Sequence, residues 1–68
     1  MILFTSPDCA GCQRIKEKLR FDDVVDISTD HGFEHARRLG VRAVPTVIAY
    51  GVKFVGEQAI NKQFVEKM

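Results

Sequence analysis

Residues 2–12 read Ile2-Leu3-Phe4-Thr5-Ser6-Pro7-Asp8-Cys9-Ala10-Gly11-Cys12. Ile2-Leu3-Phe4 is a short continuous apolar run, the pattern of a central strand buried on both faces. Ser6-Pro7-Asp8 breaks it as a loop. From about Ala10 to Arg20 the period becomes helical. Cys12, Ile15 and Leu19 recur on one side, with Gln13, Arg14, Lys16, Glu17 and Lys18 on the other. The two cysteines therefore fall where a buried strand gives way to an amphipathic helix.

Further along, Asp22-Asp23 marks a turn, and Val24-Val25-Asp26-Ile27 reads as a second strand. A helix separates the two strands, so they are expected to run parallel. Ser28-Thr29-Asp30 offers N-caps for a second helix. Phe33, Ala36 and Leu39 share one face of it, and Gly40 can stop it. Val44 to Ala49 is β-branched and apolar apart from Pro45 and Thr46. Tyr50-Gly51 can turn that strand into Val52-Lys53-Phe54-Val55, which Gly56 ends. Ile60, Phe64 and either Val65 or Met68 then mark a last amphipathic helix from about Gln58 to Lys67. The order β-α-β-α-β-β-α implies one α/β domain over residues 1–68. Its sheet is mixed and four-stranded, with the first and third helices on one face and the second on the other.

Composition limits the function. A chain of 68 residues can build one thin core. With 46% hydrophobic and 28% charged residues it reads as globular, not disordered. The net charge is +1, signs are mixed, and the Arg37-Arg38 doublet is the nearest thing to a basic patch, so no nucleic-acid partner is expected. No apolar run approaches the roughly 20 residues that cross a bilayer, so no membrane partner is expected. Met1-Ile2-Leu3-Phe4 has no cationic lead and is too short for a signal peptide, which points to a cytoplasmic chain.

In a reducing compartment, a pair at this spacing is catalytic or metal-binding and not a scaffold. Cys9 would lie at a helix N-terminus, where unpaired N–H groups and the dipole favour thiolate over thiol. It is the expected nucleophile. Cys12, one turn inward, is the expected resolving cysteine. The alternative is a metal-binding or metal-carrier module using the same two sulfurs. His31 and His35 stand at metal-compatible i, i+4 spacing, but no third ligand is evident and they are read as ordinary surface histidines. No metal site is assigned. Arg14 and Lys16 are read as a solvated face.

The segment Phe4 to Cys12, taken with Val41-Arg42-Ala43-Val44-Pro45-Thr46, resembles the thioredoxin/glutaredoxin superfamily over essentially the whole chain. Tyr50-Gly51-Val52-Lys53-Phe54-Val55-Gly56 is similar to the hairpin of the very small archaeal thioredoxins. The resemblance implies a thioredoxin-like minimal fold and a monomeric thiol–disulfide oxidoreductase, a protein-disulfide reductase with no cofactor of its own. It also implies a cis Val44–Pro45 bond beside the cysteines, with the Val44 backbone pairing to substrate and Pro45 completing the loop. Asp8, Ala10 and Gly11 would tune the cysteine loop. Departures are informative. Leu3 stands where many thioredoxins carry a buried Asp, and Asp8 where they carry Trp. Ser6 replaces a glutathione-contacting Lys of glutaredoxins, Gly11 replaces their aromatic, and Gly56-Glu57-Gln58 replaces their Gly-Gly-x-Asp. The expected partners are disulfide-bearing proteins and a flavin-dependent thioredoxin reductase, in preference to glutathione.

Overall fold

A computed structural model describes residues 1–66 and places β1 (Ile2–Thr5) inside a four-stranded sheet. β1 pairs in parallel with β2 (Asp23–Asp26), Phe4 opposite Val25, and antiparallel with β3 (Thr46–Ala49), Leu3 opposite Val47. β4 (Val52–Val55) closes the sheet antiparallel to β3. Helices α1 (Ala10–Lys18), α2 (Asp30–Arg38) and α3 (Glu57–Ile60) complete the expected β-α-β-α-β-β-α order. The result is a small thioredoxin-like α/β arrangement.

Alternation along β1 sorts the core into two layers. Leu3 packs with Ile15 of α1, Val47 and Ala49 of β3, and Ile60 of α3. Phe4, on the other face, packs with Val25 of β2, Ala36 of α2 and Val41. α1 and α3 thus share a face and α2 covers the other, as the apolar run at residues 2–4 implies. Tyr50 (φ 56°) and Gly51 (φ 72°) form a two-residue turn with both central residues left-handed, the type I′ geometry that matches strand twist.

Four expectations need correction. β2 spans Asp23–Asp26 instead of residues 24–27: Ile27 N–H still donates to the Thr5 carbonyl, but the chain then leaves the sheet as Ser28 N–H turns onto the Asp26 carboxylate at 2.8 Å. β3 begins at Thr46, since Val44 and Pro45 form a loop before it. α2 does not turn Phe33 or Leu39 inward; they are 59% and 40% exposed, while Gly32 and Ala36 are buried. The cause is Gly32. A Cβ there would stand 1.8 Å from the Asp26 carbonyl oxygen, so the helix can dock only on its bare side. Phe33, about 100° further round, is left facing solvent. Finally, α3 starts at Glu57, and from Asn61 to Val65 the chain is π-helical, Glu66 N–H donating to the Asn61 carbonyl at 2.7 Å. Phe64 still packs edge-on against Phe54, ring centroids 5.0 Å apart. Lys67 and Met68 lie outside the described residues.

Gly32→Ala is expected to destabilise the fold by at least about 2 kcal/mol, because the colliding atom is backbone and cannot swing away. That is a large share of what a core this small supplies. Urea unfolding of the variant beside wild type measures it.

Candidate active site

The loop after β1 is closed by Cys9 N–H donating to the Ser6 carbonyl at 3.3 Å. Cys9 then caps α1 with extended backbone, and Gln13 N–H donates to its carbonyl at 3.2 Å as the first helical bond. The cap acceptor is the Cys9 sulfur itself, which receives the Cys12 backbone N–H at 3.0 Å. Cys9 and Cys12 form a disulfide with Cα atoms 5.2 Å apart. Cys9 is half-buried at the mouth and Cys12 is fully buried. This asymmetry favours the outer sulfur as the one reached by a partner. A thiolate at Cys9 would retain the Cys12 N–H donor, now as a stronger charge-assisted bond.

The second part is the loop before β3. The Val44–Pro45 bond is cis. The loop is held from both sides: Thr46 Oγ1 donates to the Ala43 carbonyl at 2.7 Å, and Gly56 N–H donates to the Pro45 carbonyl at 2.8 Å. Pro45 Cδ lies 3.6 Å from where a Cβ on Gly11 would be, so Pro45 rests against the first turn of α1. Val44 packs at the margin of the Phe4 layer. Among the described residues no hydrogen bond occupies its N–H or carbonyl.

The third part escaped the sequence reading. Arg14 donates to both Glu57 carboxylate oxygens, Nε to Oε2 at 2.6 Å and Nη2 to Oε1 at 2.7 Å, joining α1 to α3. The carboxylate lies over Gly11, its Oε1 3.2 Å from a Cβ position there. Hydrogen bonds from Arg14 hold the Glu57 carboxyl below its ordinary value, against partial desolvation. The pair spans 43 residues, so only the folded arrangement reveals it.

The remaining candidates divide. Gly11 is half-buried beneath Pro45 and Glu57, while Asp8 and Ala10 are exposed flanks of Cys9. His31 is exposed, but His35 packs edge-on against Phe4 at 5.4 Å, so the two histidines do not act as a pair. Among the described residues no group of three or more His, Cys, Asp or Glu side chains converges. No described helix is long and apolar enough to cross a membrane. Comparison with protein-family models, curated proteins and solved structures yields no match to this chain.

The Arg14–Glu57 bridge has a pH signature. A carboxyl whose folded value lies below its unfolded one contributes stability that is complete above the unfolded value of ~4.3 and is lost as pH falls through the folded value. The stability difference between wild type and Glu57→Gln is therefore expected to be constant from about pH 7 to about pH 5 and to shrink below about pH 4. Denaturant midpoints of the two proteins across that range measure it.

Proposed function

We propose that this chain is a thiol–disulfide oxidoreductase of the thioredoxin/glutaredoxin kind, a small electron carrier that reduces protein disulfides through Cys9 and Cys12. The observation that carries the reading is the Cys9–Cys12 disulfide at a strand–helix junction, with the outer sulfur on a helix N–H and Pro45 packed against Gly11 between the two cysteines. A metal-carrier module would hold both sulfurs as thiolates, and it assigns no part to the Pro45 loop.

The reaction balances with sulfur chemistry alone. Cys9 thiolate attacks one sulfur of a substrate disulfide, forming a Cys9–substrate bond and expelling the other substrate sulfur as thiolate. Cys12, deprotonated, then attacks Cys9 Sγ. The Cys9–Cys12 bond forms, and the second substrate sulfur leaves. The substrate gains two electrons and takes two protons from solvent, and the chain is oxidised by the same two electrons. The free Val44 N–H and carbonyl suit an extended substrate segment laid along the loop. A flavin-dependent thioredoxin reductase in a reducing cytoplasm would reopen the disulfide. Glutathione is the weaker donor because Ser6 offers no cation and Arg14 is already engaged by Glu57.

In the reduced protein, iodoacetamide is expected to modify Cys9 well before Cys12. Cys12→Ser should accumulate a mixed disulfide with insulin, and Cys9→Ser should lose insulin reduction. Faster alkylation of Cys12, or an active Cys9→Ser, would reverse the roles. Turnover coupled to glutathione and glutathione reductase is expected to be at least about tenfold slower than with a thioredoxin reductase, at matched donor concentrations. Equal or faster glutathione coupling would assign the chain to glutaredoxin chemistry.

A further inference from the structure

Thr5 closes β1 and is only 3% exposed, yet its hydroxyl has no hydrogen-bond partner among the described residues. Buried hydroxyls are nearly always satisfied, so an unpaired one calls for a cause. Thr46, the other buried threonine at this end of the sheet, is satisfied by the Ala43 carbonyl. The two face opposite layers. Thr46 alternates with Val47, which faces α1 and α3, and so it faces α2. Thr5 lies two residues from Leu3 and shares its face, toward α1 and α3.

The register over that face carries Cys12 toward the Thr5 end of β1. Ile15 packs with Leu3, and Leu19 and Met1 pack at the margin of the same cluster, so α1 runs back along β1 in the opposite sense. Moving from Leu3 to Thr5 advances about 6.6 Å along the strand. Moving from Ile15 to Cys12 retreats about 4.5 Å along the helix, in the same direction. Cys12, fully buried like Ile15, is the buried α1 residue carried toward the Thr5 end of the strand.

We propose that Thr5 is the hydrogen-bond donor to the Cys12 sulfur in the dithiol form, a contact that the disulfide form does not make. This rests on the oxidoreductase reading. Giving a buried hydroxyl a partner removes the cost of leaving it unpaired, and the bond strengthens when Cys12 is deprotonated for its attack. Opening the disulfide with a dithiol such as dithiothreitol moves two electrons and two protons to Cys9 and Cys12 while the reagent closes to its cyclic disulfide. The Thr5 hydroxyl then gains a partner. The layer beneath α1 is otherwise built of Leu3, Ile15, Val47, Ala49 and Ile60, which offer no donor from their side chains. Thr5 therefore favours the dithiol and readies Cys12 for its attack on the mixed disulfide.

The test equilibrates wild type, Thr5→Val and Thr5→Ser with graded mixtures of reduced and oxidised dithiothreitol, then counts free thiols by alkylation and mass. Thr5→Val keeps the shape and loses the donor. It is expected to shift the equilibrium toward the disulfide about tenfold, about 30 mV more reducing. Thr5→Ser should stay within about twofold of wild type. The oxidised Thr5→Val protein should melt no lower than wild type while its reduced form melts lower. Should Thr5→Val not fold, Thr5→Ala carries the same expectation. A Thr5→Val equilibrium within twofold of wild type, or a Thr5→Ser shift as large as that of Thr5→Val, overturns this inference and leaves the oxidoreductase reading standing. A wild-type disulfide that dithiothreitol does not open reversibly overturns both.

Discussion

The cysteine end of the molecule depends on β1 being covered on both faces. Leu3 anchors α1 and α3 to one side, and Phe4 anchors α2 and Val41 to the other. Because α1 is held by the Leu3–Ile15 contact, its N-terminus must emerge over the end of β1, where the chain has just turned through Ser6, Pro7 and Asp8. β3 enters the sheet at that same end, with Thr46 opposite Phe4. The loop that carries Val44 and Pro45 is thereby delivered to the first turn of α1. Two segments more than 30 residues apart in sequence meet because one strand is sandwiched.

The polar contacts around the sulfurs are few and each has a position to hold. The Cys12 N–H fixes the outer sulfur, the Gly56 N–H fixes Pro45, and Arg14 fixes Glu57 over Gly11. Gly11 is the shared neighbour of the last two. A Cβ there would meet the Pro45 ring at an ordinary contact distance of 3.6 Å and the end of a flexible carboxylate at 3.2 Å.

Much of this was legible in the chain because it is encoded locally. The apolar run at residues 2–4, the 3.6-residue recurrence of Cys12, Ile15 and Leu19, and the Tyr50-Gly51 turn each specify an element without help from elsewhere. Phe33 was misjudged for a physical reason: counting the largest apolar side chain as the inward one ignores how near the backbone comes, and Gly32 docks closer than any side chain permits. Strand limits differ by one or two residues because the turn of Ser28 onto Asp26 and the loop at Val44-Pro45 set them. Arg14–Glu57, the unpaired Thr5 hydroxyl and the π-helical stretch depend on tertiary placement and leave no periodic trace.

The proposed oxidoreductase role makes Cys9 and Cys12 a reversible two-electron couple. The intact mass of the purified protein, recorded before and after dithiothreitol alongside its metal content, tests this most directly. The expected result is a metal-free chain two hydrogen masses lighter when oxidised, which regains them on reduction and loses them again on re-oxidation. A reduced chain isolated with stoichiometric bound metal that shields both sulfurs from alkylation would contradict it.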